Sequence, residues 1–249
     1  MAESDKITGQ ILRASPRLQA RIAGFMYMII IVAGGVSYFT GSTLIVHGDA
    51  SATASNILAS EQLWRLGLAA LLVMLACDVG VAVIFYVLFK PVNRSLALLG
   101  FAFRLVMTAV LSVNLLARFA PLLLLRDVAS SAAFETNQMQ ALAFLSLKLF
   151  EQGFNVALVF FGVDCLVIGW LIFRSTFLPR ILGGLLAVAG LCYLTNSFAD
   201  FLFPTFALPS NFLLPAYVTE LALSLWLSVI GVNAEKWKEQ AGAAWTSRT

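Results

Sequence analysis

The sequence predicts an all-α fold, a polytopic transmembrane helical bundle of six spans with both termini cytoplasmic. Three observations carry this. First, 60% of the 249 residues are hydrophobic and 12% are charged, where soluble domains carry about 25% charged residues. Second, mean hydropathy is +0.90, and several apolar runs reach the roughly 20 residues that cross a bilayer. Third, the basic residues gather in alternate loops. A transmembrane barrel would instead show short alternating segments. The +3 net charge orients helices and implies no nucleic-acid partner.

Taken in order, residues 1–20 read as a polar cytoplasmic segment, 21–233 as the six-span domain and 234–249 as a polar cytoplasmic tail. The first span is expected over 22–46. It is longer than the 7–15-residue core of a cleaved signal peptide, so an uncleaved helix is the better reading. Asp49 is a good N-cap for a short surface helix over 50–58. Trp64 is expected at a membrane interface, where aromatic residues concentrate. The second span is expected over 63–89, with Asp78. The third runs over 96–125, with Arg104 and Arg118, and Pro121 should bend or fray its last turn. After a polar loop over 126–140 comes the fourth span, 141–173. The fifth is expected over 181–203 and the sixth over 216–232, joined by a proline-rich stretch that rests against the membrane.

Topology follows from charge. Lys6, Arg13, Arg17 and Arg21 precede the first span. Lys90, Arg94, Arg174 and Arg180 lie in two short turns, and Lys236, Lys238 and Arg248 in the tail. The positive-inside rule places all of these in the cytoplasm. Asp78 and Arg94 are sixteen residues apart, as are Asp164 and Arg180. That match hints at two related hairpins in parallel duplication, with chance as the alternative.

The fourth span is the centre of the reading. Lys148, Glu151, Gln152 and Asn155 fall at i, i+3, i+4 and i+7, one stripe of a helix. Asp164 lies about 140° round from Glu151. Charges in hydrocarbon are costly and usually face protein or a water-filled cavity. Counting 1.5 Å per residue sorts the charges into two layers. The inner layer is Asp78, Arg104 and Asp164, where Arg104 pairs with one aspartate or the other. It reads either as a helix-locking ion pair or as a proton or cation site, because two carboxylates beside one arginine leave an acid able to titrate. The outer set is Arg118, Lys148, Glu151, Asp200 and Glu220, joined by the uncharged Asn155 and Asn196. It reads either as interhelical salt bridges or as an outward-facing pocket for a small polar or amphiphilic ligand.

Catalytic patterns are poor. No serine or cysteine is matched with a histidine in a recognisable motif. His47 is the sole histidine and reads as a solvated turn residue, so no metal site is expected. Cys77, Cys165 and Cys192 read as small buried hydrophobes. The Gly34-Gly35 and Gly183-Gly184 pairs allow close helix packing. No motif names a cofactor.

Several strings resemble one family. Arg21-Ile-Ala-Gly24, the loop from Ser42 through His47 and Asp49 to Ile57, Lys90-Pro-Val-Asn-Arg-Ser-Leu-Ala-Leu-Leu99 and Phe103-Arg-Leu105 look like the bacterial membrane family catalogued as domain of unknown function 4386. Relatives are expected to carry proline where His47 stands, which leaves this loop less rigid here. The resemblance covers roughly 21–232. It implies a six-helix protein of the bacterial inner membrane, and it transfers no activity and no site residue.

Three function classes follow. The leading one is a transporter-like or sensor-like protein binding a small molecule in the outer pocket, with membrane lipid as its surroundings. The second is a non-catalytic accessory subunit, in a homo-oligomer or larger membrane complex. The third is an intramembrane lipid-modifying enzyme with Glu151, Asp200 or Glu220 as acid or base.

Overall fold

The computed structural model describes residues 15–126, 134–203, 205 and 208–246. Among these it is helical, with no strand. The helices are α1 (Pro16–Leu44), α2 (Ala50–Ala59), α3 (Glu61–Phe89), α4 (Arg94–Arg126), α5 (Thr136–Arg174), α6 (Arg180–Leu202), α7 (Leu214–Val229) and α8 (Ala234–Thr246). Five of them, α1, α3, α4, α5 and α6, are long and apolar enough to cross a membrane. Their outward faces stay apolar, with Phe25, Val113 and Ile181 at 60%, 69% and 70% exposure. A soluble protein rarely leaves so much apolar surface uncovered. The chain is a multi-pass membrane protein.

The expected sixth span begins two residues and ends three residues earlier than predicted. α7 has 16 residues, about 24 Å at 1.5 Å per residue, against the ~30 Å hydrocarbon core. The segment read as a polar tail is helical as α8, bent 97° from α7. Gly231, at φ 73°, makes that break, because few other residues adopt this conformation cheaply. Asn233 caps α8 by accepting from the Lys236 N–H at 3.1 Å. Trp237 Nε1 then donates to the Leu88 carbonyl at 2.9 Å. Five spans are thus plain, and six if α7 and α8 count as one broken span.

Other boundaries shift modestly. α5 starts at Thr136, five residues before the expected position, and runs 39 residues. Asp49 caps α2 as expected, accepting from the Ala52 N–H at 2.8 Å. Pro121 sits inside α4, which continues to Arg126. Expectations for Lys6, Arg13 and Arg248, and for parts of the 126–140 loop and of the proline-rich stretch, fall outside the described residues.

The chain divides into two compact units. Unit one is Met1–Met28, Cys77–Met107 and Leu158–Thr249; unit two is Ile29–Ala76 and Thr108–Ala157. Within unit one, glycines set the approach of α5 and α6. A Cβ on Gly183 would come 2.5 Å from the Gly169 carbonyl oxygen, and one on Gly190 would come 2.6 Å from that of Gly162. Both helices therefore carry small residues seven apart, which lets their backbones touch. Gly184 meets nothing within 4 Å. Within unit two, Leu44, Ala54, Ile57, Trp64, Leu68, Leu122 and Leu147 form the apolar core. Trp64 is fully buried there and is not the interface anchor that its place near a span end implied.

Candidate functional site

The strongest cluster lies in unit one, and helix length explains its level. Asp78 is eleven residues before the end of α3, Arg104 ten after the start of α4, Asp164 ten before the end of α5, and Glu220 nine before the end of α7. At 1.5 Å per residue these offsets are about 14–17 Å. Four helices thus deliver one guanidinium and three carboxyl groups to a similar depth.

Arg104 is the hub. Its Nη2 and Nε donate to Asp78 Oδ1 at 2.7 and 3.1 Å, and Nη1 donates to Asp164 Oδ2 at 3.3 Å. All three side chains are buried. Aromatic faces close the guanidinium in, with the Tyr27, Phe161 and Phe85 ring centroids at 5.1, 5.4 and 5.9 Å. Such faces favour a cation that has lost its water. The two aspartates are not equivalent: Asp78 takes two donors, whereas Asp164 takes one longer bond and keeps Oδ1 buried without a partner. Gly100 lies beside that oxygen, where a Cβ would come within 3.3 Å of it.

Glu220 completes the cluster. The Tyr193 hydroxyl donates to its Oε1, and the Tyr193 ring packs 5.2 Å from that of Phe161. Tyr27 and Arg104 both lie within electrostatic reach of the Glu220 carboxyl. Sequence depth counting had grouped Glu220 with the outer set; the structure places it in the unit of Arg104. The tyrosines were missed. Their signal was a phenol inside an apolar span, since a buried hydroxyl needs a hydrogen-bond partner. Among the described residues, no group of three or more His, Cys, Asp or Glu is arranged to hold a metal.

A second polar centre lies in unit two. Arg118 is 6% exposed. Its Nη2 donates to the Ser37 carbonyl at 2.7 Å and approaches Thr40 Oγ1 at 3.4 Å. The guanidinium carbon sits 5.0 Å from the Trp64 ring and 5.0 Å from the Phe150 ring. Nearby, Asn114 Nδ2 donates to the Phe150 carbonyl at 2.7 Å.

The other expected site residues are more open. Lys148 and Glu151 are exposed, and no ion pair joins them among the described residues. Lys148 Nζ instead sits 5.3 Å from the Phe144 ring. Lys148 and Glu151 stand 26 and 23 residues before the end of α5, about 39 and 35 Å along the helix. Distances beyond ~30 Å exceed the hydrocarbon thickness, so the length of α5 offers these groups a solvated position. Asn155 and Asn196 are half-buried and Asp200 is exposed; Asn155 and Asp200 both have interaction partners. Arg118, Lys148, Glu151 and Asn155 belong to unit two, and Asn196, Asp200 and Glu220 to unit one.

A family model described as Domain of unknown function (DUF4386) matches residues 22–231. The chain belongs to this family. An uncharacterized protein of Archaeoglobus fulgidus is 24% identical to this DUF4386 chain over 124 residues, covering 50% of the chain and 60% of that relative. The chain therefore spans less than two thirds of this curated relative's length. No solved structure matches the DUF4386 chain. It is an integral membrane protein of an uncharacterised family.

Proposed function

We propose that this chain is a ligand-binding, transporter-like membrane protein whose Arg104 centre binds and releases a proton. The observation that supports the reading is a charge count. Asp78, Asp164 and Glu220 are buried with Arg104 as the one guanidinium among them. One positive charge balances one carboxylate. Leaving further carboxylates ionised in a dry interior costs far more than holding a proton. Asp164 and Glu220 are the acids to hold it, because Asp78 already takes both Nε and Nη2 of Arg104. A titrating acid inside a span is the usual element of a proton relay. The geometry favours a proton over a metal cation, since the carboxyl groups do not converge as ligands.

The wider reading is a small polar or amphiphilic solute handled by a protein of the cytoplasmic membrane, with both termini inside by the positive-inside rule. The proton step is tested first. The purified full chain in detergent is titrated through neutral pH beside an Asp164→Asn/Glu220→Gln variant. The wild type should exchange at least one proton more than the variant. Equal exchange would make the cluster a fixed cross-link, and the accessory-subunit reading would take its place.

A further inference from the structure

Arg118 carries a charge that its surroundings do not balance. It is buried, yet among the described residues no ion pair reaches it: both described acceptors, the Ser37 carbonyl and Thr40 Oγ1, are neutral. In unit two, Glu61 is held by Arg65 at 2.6 Å and Arg126 at 2.9 Å, and Glu151 is exposed. Arg118 Nε is buried and has no hydrogen-bond partner. A guanidinium presents its Nε–Nη2 edge to anions as a planar fork. Here the Nη2 tine donates to neutral oxygens, and the buried Nε tine has no partner. Trp64 and Phe150 flank the group at 5.0 Å each and exclude water from it. Gly41 lies against the same group, where a Cβ would come 3.1 Å from Nη2, so the guanidinium packs into the space a side chain there would take. Buried charges are normally paired, and this arrangement keeps a donor in reserve.

We propose that Arg118 anchors an anion-binding site in unit two, taking a compact monovalent anion, a halide or a single carboxylate, on its Nε edge. This site is independent of the Arg104 centre, because none of its residues belongs to that cluster. Specificity would come from size and charge: the aromatic walls admit a small, singly charged group and disfavour the hydrated, doubly charged sulfate. The carboxylate could equally be that of an organic solute, and the two sources are separable by titration.

The test uses the full chain in detergent, in a buffer whose only anion is isethionate. Chloride, formate and sulfate are added separately while intrinsic tryptophan fluorescence and thermal stability are followed. Chloride or formate should give a saturable response in both, because a ligand that binds only the folded state raises its melting temperature by mass action. Tighter formate than chloride identifies a carboxylate-bearing solute; the reverse identifies an inorganic halide. Arg118→Lys, which keeps the charge and loses the fork, should weaken the response at least tenfold. An unchanged affinity in a folded Arg118→Lys protein overturns the proposal, as does a wild type that responds to neither anion or no differently to sulfate. Should the variant not fold, bromide decides: its anomalous scattering peak must lie within hydrogen-bond reach of Arg118 Nε, and a peak elsewhere or none at all refutes the site.

Discussion

Removing the hub of the unit-one cluster should cost a defined amount. Arg104→Leu keeps apolar volume and deletes the hydrogen bonds to Asp78 and Asp164. Breaking a buried pair by taking one partner typically costs about 3–5 kcal/mol. A ceiling comes from proton uptake. Protonating an ordinary aspartate at neutral pH, from a value near 3.9, costs about 4 kcal/mol at 1.36 kcal/mol per unit. If Asp164 already holds a proton, only Asp78 loses its counter-charge, and the total stays near 3–5 kcal/mol instead of doubling. At about 2–4 °C per kcal/mol for a chain of this size, the melting temperature falls by about 10 °C. Thermal unfolding of the purified protein in detergent reads this. The second half of the prediction is the rescue. Adding Asp78→Asn to Arg104→Leu should recover most of the loss, and adding Asp164→Asn should recover little. Equal rescue by both, or rescue only by Asp164→Asn, would refute the unequal roles assigned to the two aspartates.

Three further outcomes follow from the packing and the charge pattern. Gly183→Ala drives a Cβ against the Gly169 carbonyl and the Phe173 nitrogen, backbone atoms that cannot turn aside, so it should lose at least the ~1–3 kcal/mol of an overpacked core; Gly184→Ala, facing open space, should be neutral in the same melt. Asp49→Ala removes the α2 cap and should cost about 1 kcal/mol, a drop that Asp49→Ser restores. Single cysteines in the 127–138 segment should react with an impermeant thiol reagent added outside intact cells and one at Ser95 should not, the reverse pattern overturning the cytoplasmic termini.

Much of this architecture was legible because hydropathy and helix length are one-dimensional properties. α3 and α4 begin and end within two residues of their expected limits, and the Asp49 cap needed only local chemistry. The inner trio was legible too, since rise per residue places Asp78, Arg104 and Asp164 at one depth. Glu220 failed that count because the limits of the sixth helix were placed two to three residues too late. Its true end at Val229 depends on the Gly231 break, which a run of apolar residues conceals. Trp64 was misread because position near a span end says nothing of azimuth, and its ring turns inward to Arg118. The tyrosines were hidden for a related reason: a phenol in an apolar run is polar only once its partner is known. Lys148 and Glu151 read as intramembrane because the whole of 141–173 reads as one span; counted from the end of α5 they lie beyond a ~30 Å hydrocarbon core.

The central claim is that a carboxyl group in the Arg104 cluster holds a proton at neutral pH. Infrared spectroscopy of the full chain in detergent measures this directly, because a protonated carboxyl has a C=O stretch that a carboxylate lacks. The wild type should show that band at neutral pH, weakened in Asp164→Asn or in Glu220→Gln and unchanged in Asp200→Asn. A neutral-pH spectrum with carboxylate bands alone would contradict the account.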